Sequence, residues 1–96
     1  MDEKQLLIEL KKFKATHQQK YGIEVLGFFG SYARGEVRQG SDVDVVVKLT
    51  KQDLFNIIGI KQDLEETLQL PVDVVSYRPS MDFYLKKCID KEAVYV

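Results

Sequence analysis

Asp42 and Asp44, separated by one residue, open a hydrophobic run that continues to Leu49, and the pair Gly30-Ser31 closes an earlier run, Val25-Leu26-Gly27-Phe28-Phe29. Ten residues lie between Ser31 and Asp42. Residues i and i+2 of a strand point to the same face, so the two carboxylates converge on one spot. Crowded like charges repel, and each raises the pKa of the other. A divalent cation between them is the economical remedy, and hard oxygen ligands suit Mg²⁺ or Mn²⁺. Gly30 allows close backbone approach and Ser31 can turn its hydroxyl and N–H toward a phosphate. Acids and turn together spell a metal–nucleotide site. Taken singly, each has a plainer reading, a solvated strand entry for the acids and a strand-to-helix turn for Gly30-Ser31.

The elements that must position these groups are legible in outline. Leu6, Leu10 and Phe13 recur at helical spacing within a first helix from about Glu3 to Lys20, which Tyr21-Gly22 stops. Ile23 to Phe29 reads as strand one, Ser31 to Gly35 as a helical turn, and Glu36 to Ser41 as exposed connection. Val43 to Leu49 is almost continuously β-branched, which suits a strand covered on both faces. Thr50-Lys51-Gln52-Asp53 resembles a capping box opening a helix to about Gln69, with Leu54, Ile57, Ile58, Leu64 and Leu68 as its apolar stripe. Gly59 inside it implies a kink or close packing. Pro71 ends that helix, Val72 to Tyr77 forms strand three, Pro79-Ser80 caps a further helix through about Ile89, and Ala93 to Val96 adds a short last strand. The fold class expected is α+β: a two-layer α/β domain spanning 1–96, with a small mixed sheet of three to four strands.

A topological constraint follows. The Gly-Ser turn ends strand one and the acids begin strand two, so a shared site requires these strands to run antiparallel. Strands two and three are joined by a helix, which favours a parallel pair. Strand three then also begins at the site, and its second residue is Asp73. A third carboxylate arrives where the first two stand.

Composition narrows the class. Ninety-six residues, 45% hydrophobic and 30% charged, make one small globular core. A net charge of −1 leaves no basic footprint for nucleic acid. The lone Cys88 has no disulfide partner within the chain and reads as a reduced, buried thiol. No apolar run approaches a bilayer span and the start Met1-Asp2-Glu3-Lys4 is not that of a signal peptide, so the expected location is the cytoplasm.

Gly30-Ser31-Tyr32-Ala33-Arg34-Gly35, the ten-residue gap, Ser41-Asp42-Val43-Asp44 and Val72-Asp73-Val74-Val75 together resemble the DNA polymerase β-like nucleotidyltransferase superfamily, and within it a minimal nucleotidyltransferase (MNT) domain. The resemblance implies transfer of a nucleoside monophosphate from an NTP, ATP first, to a hydroxyl with two divalent ions. In such sites the ions clamp the attacking and leaving oxygens of an in-line displacement. By the same resemblance Asp42, Asp44 and Asp73 are catalytic residues and metal ligands, with Asp73 helping to deprotonate the incoming hydroxyl. Gly30 and Ser31 match the turn that holds the triphosphate. It also implies a HEPN-domain toxin as partner, silenced by AMP added to a tyrosine, with this chain as antitoxin.

Other readings remain open. A masking module without catalysis needs none of the three acids, and a small-molecule transferase would have to work as a homodimer. Larger nucleotidyltransferases hold the acceptor on a second domain, and a chain of this length is expected to meet its acceptor on another chain or a second copy. Arg34 pairs either with phosphate or with Glu36, and Tyr32 borders either the nucleotide or the core. Ser41 shapes the turn before Asp42, and His17 falls on the polar side of the first helix.

Overall fold

A computed structural model describes residues 1–96 except Gln39, so this residue of the expected connection between Glu36 and Ser41 lies outside the described residues. Helix α1 (Glu3–Tyr21) is followed by β1 (Ile23–Phe29), α2 (Ser31–Arg34), β2 (Val43–Leu49), α3 (Leu54–Leu68), β3 (Val72–Ser76), α4 (Phe83–Glu92) and β4 (Val94–Tyr95). The four strands form one mixed sheet in the order β3-β2-β1-β4. As the site required, β1 and β2 are antiparallel and β2 and β3 are parallel.

Side-chain alternation divides the sheet into two faces. Val43, Val45, Val47 and Leu49 of β2 and Val72 of β3 pack in one cluster with Leu6, Leu10 and Phe13 of α1 and Ile60, Leu64 and Leu68 of α3. A shift of register between Ile23 and Val25 turns Ile23, Leu26 and Phe28 into this same layer. Burying each such side chain stabilises the fold by about 1.5–3 kcal/mol. The opposite face carries a second cluster of Phe29, Val46 and Ile89, joined by Val75, Tyr77 and Leu85, so α4 covers only part of it. β2 is therefore not fully covered on both faces: Lys48 stays exposed.

Several local expectations are corrected. Asp53, not Thr50, caps α3, its carboxylate accepting from Phe55 N–H at 2.9 Å. Thr50 is already engaged at the end of β2, where its N–H donates to the Gly22 carbonyl at 2.8 Å and its hydroxyl to the same oxygen at 3.3 Å. Pro79 and Ser80 lie in the middle of a turn closed by Met81 N–H donating to the Arg78 carbonyl, and Asp82 caps α4. Leu54 and Ile58 are exposed, because the buried stripe of α3 is the narrower series Ile60, Leu64 and Leu68. Cys88 is only half-buried, beside Tyr84, Lys87 and Lys91. His17 stacks on Phe13 at 4.1 Å and faces Asp63 at 3.8 Å, rather than lying on an open polar surface. Gly59 does mark close packing: a Cβ there would lie 2.9 Å from the Tyr21 ring.

Candidate nucleotide site

Register alone brings the acids together. Asp44 pairs with Asp73 across the parallel ladder and with Phe29 across the antiparallel one, so the three side chains leave the same face at one end of the sheet. Asp42 stands one residue before β2 and is exposed, Asp44 is half-buried, and Asp73 is exposed as the second residue of the edge strand β3. Ser41 shapes the approach as expected: its hydroxyl accepts from Arg38 N–H at 2.9 Å, and its own N–H donates to the Arg38 carbonyl at 2.9 Å.

The Gly-Ser turn sits directly on this cluster. Gly30 has φ +74°, a conformation that L side chains rarely adopt, and a Cβ there would lie 3.1 Å from Asp44 Cγ and in collision with its carboxylate. Strand β1 therefore ends against the acid, and Ser31 begins α2 beside it. The first N–H groups of a helix have no intrahelical partner. Tyr32 is buried among the α1–α3 layer, so of its two readings the core one holds.

Electrostatics follow the geometry. Burial, and then the neighbouring charges of Asp73 and Asp42, hold the Asp44 carboxyl above its usual range; Arg34 opposes them and Glu92 adds to them. A carboxylate penalised in this way gains from any cation placed beside it. Among the described residues no three acidic, His or Cys side chains stand close enough to hold a metal ion as placed. The donor set is nevertheless of the right chemistry, all hard oxygens, and both Asp42 and Asp73 are exposed and free to turn about their side-chain torsions toward Asp44.

Arg34 sits at the edge of the cluster, held by two carboxylates. Its Nε donates to Glu36 at 3.3 Å and its Nη1 to Glu92 at 3.0 Å. The Glu36 pairing was one of its two expected readings. Glu92 was not singled out by the sequence, and it also accepts from Gly30 N–H at 3.1 Å. Only the pairing of β4 with β1 reveals it: with Phe28 opposite Val94, the residue two places earlier on the C-terminal segment meets Gly30.

A second support lies behind Asp73. Lys61 of α3 donates to the Val72 carbonyl at 2.7 Å, and Glu65 accepts from Val72 N–H at 3.1 Å. That N–H, followed by Lys61, holds the Glu65 carboxyl below its usual range. The residue before Asp73 is thus tied at both backbone groups.

The profile of the family described as polymerase beta, nucleotidyltransferase, matches residues 11–96. The protein adenylyltransferase MntA of Thermococcus cleftensis is 35% identical over 88 residues, covering 91% of this chain and 88% of that one. A solved structure of a candidate minimal nucleotidyltransferase superposes with a TM-score of 0.79 at 30% identity, covering 98% of this chain and 95% of that one. The fold also recurs, at TM-score 0.59 and 20% identity, covering 88% of this chain and 69% of that one, in a complex of a tri-AMPylated Shewanella oneidensis HEPN toxin with an MNT antitoxin.

Proposed function

The chain belongs to the polymerase β-type nucleotidyltransferases, and on that footing we propose that it is a Mg²⁺-dependent protein adenylyltransferase that transfers AMP from ATP to a tyrosine of a HEPN-type toxin, acting as its antitoxin in the cytoplasm. The observation that carries this reading is the convergence of Asp44, Asp73 and Gly30 at one sheet end, with Asp42 two residues before Asp44. Asp42, Asp44 and Asp73 would hold the divalent ions, Mn²⁺ serving in place of Mg²⁺. Bound there, the ions would neutralise charge on the triphosphate and polarise its phosphoryl oxygens.

The chain's own residues do the rest. Gly30 and Ser31 receive the triphosphate, and Arg34 adds a cation at the rim. Asp73, exposed on the edge strand, is reachable by a hydroxyl from another chain and takes its proton as the hydroxyl oxygen bonds to the α-phosphorus of ATP and the α–β phosphoanhydride breaks, releasing pyrophosphate. The name of the Thermococcus relative supports a protein acceptor, and the AMPylated toxin in the Shewanella complex supports a HEPN partner. Large apolar side chains are exposed on the first turns of two helices, Leu54 and Phe55 on α3 and Phe83 and Tyr84 on α4, a surface suited to a protein.

The testing experiment is co-expression with the HEPN-type partner that this reading requires. Wild type should leave AMP on a partner tyrosine, seen by mass spectrometry, and Asp42→Asn should leave none. An unmodified partner that is nonetheless neutralised by both proteins would assign the chain to masking.

A further inference from the structure

We propose that Glu92 is a positioning residue of the nucleotide turn, acting through Arg34; the proposal rests on the nucleotide reading above. One carboxylate oxygen of Glu92 accepts from both Gly30 N–H at 3.1 Å and Arg34 Nη1 at 3.0 Å, and its second oxygen lies 3.3 Å from the same Nη1. The last turn of α4 is thereby pinned to the β1–α2 turn at both ends of α2.

The direction of the Gly30 bond excludes a carboxylate merely standing where a phosphate would sit. Val96 N–H donates to the Leu26 carbonyl at 2.9 Å, so the backbone groups of Leu26, and of every second residue after it, face β4. Gly30 continues that series through its N–H alone, which bonds Glu92 on the β4 side, while its carbonyl accepts from Arg34 N–H. Glu92 extends the β1–β4 ladder by one rung made with a side chain. The phosphate-facing side of the turn is left open.

The consequence falls on Arg34. Glu36 takes its Nε and Glu92 its Nη1, while Nη2 bonds to no described residue. A guanidinium held at Nε and Nη1 presents Nη2 in a fixed place, so that it meets a phosphate with little further ordering. Glu92 is the less exposed of the two anchors, 21% against 66% for Glu36, and so sets the position.

Calorimetric binding of Mg²⁺·AMP-PNP to the full chain tests this. In calorimetry the stoichiometry counts folded sites while Kd reports their quality, so a purely structural role would lower the first and leave the second alone. Glu92→Ala should weaken Kd by about 10–100-fold, the scale of a lost hydrogen bond to a charged group. Glu92→Gln keeps an acceptor for Gly30 and should weaken Kd less, and it carries the test if the alanine variant does not fold. In an Arg34→Ala background, Glu92→Ala should change Kd by less than about twofold, because the route through Arg34 is gone. An unchanged Kd in both Glu92 variants, tighter binding in either, or full additivity with Arg34→Ala would overturn the proposal. Absence of binding by wild type would instead bring down the nucleotide reading itself, and this inference with it.

Discussion

Asp44 is the residue on which the site's energetics turn. Its carboxyl is raised by burial and by Asp73 and Asp42, so ionising it costs the native state more than the unfolded chain. Below the unfolded value the carboxyl is protonated in both the native and the unfolded states and the penalty is absent. As pH rises through the raised folded value, the native chain takes on the penalised charge and stability falls. Asp44→Asn should therefore melt above wild type at pH 7 without metal, with the gap closing toward pH 4. A lower melting temperature for the variant at pH 7 would show that the acids do not oppose one another. Gly30→Ala meets two obstacles, a left-handed φ and the Asp44 carboxylate. It should lose about 1–3 kcal/mol in urea titration from the backbone alone, and nucleotide binding with it. The meeting of these two residues was legible in the sequence, since residue types at fixed spacing sufficed. Glu92 was not, because nothing local distinguishes it from any other acid near a helix end.

Among the elements, β3 is the one whose placement matters most, being an edge strand that carries Asp73. Its first residue is held by Lys61 and Glu65 of α3 rather than by a further strand. Glu65→Ala should speed hydrogen exchange at Val72 N–H and lower the transfer rate, while leaving Kd for nucleotide near the wild-type value. An equal loss in Kd would mean that β3 bears on the nucleotide and not on the acceptor. Strand positions were readable because β-branched runs bounded by Gly and Pro leave few alternatives, and β1 and β2 match expectation end to end. The starts of α1 and α2 were readable too, but those of α3 and α4 were not. Thr50 and Ser80 have capping chemistry, but their backbones are engaged by the β1–β2 end and by the Arg78–Met81 turn, so Asp53 and Asp82 cap instead. Local propensity named the residue types; tertiary contacts chose among them.

At the scale of the whole molecule, a small α/β core supports a site at one sheet end, and ligands that bind only the folded chain must stabilise it. Mg²⁺ with ATP at about 100 times Kd should add about 2.7 kcal/mol and raise the melting temperature by about 10 °C or more. Metal and nucleotide should reinforce one another, as each neutralises charge opposing the other. The topology was deducible because only antiparallel β1–β2 and parallel β2–β3 pairs bring Gly30, Asp44 and Asp73 together, whereas the half-open second face depended on how far α4 reaches and could not be read from spacing. The most direct test of the account concerns Asp73, co-expressed as Asp73→Asn with the HEPN-type partner. The variant should still bind Mg²⁺·AMP-PNP and still co-purify with the partner. Loss of the base should cut transfer by about 10²–10⁴-fold, leaving partner tyrosines without AMP and the partner toxic. Wild-type levels of AMP on the partner, or full protection by the variant with no AMP in either case, would contradict it.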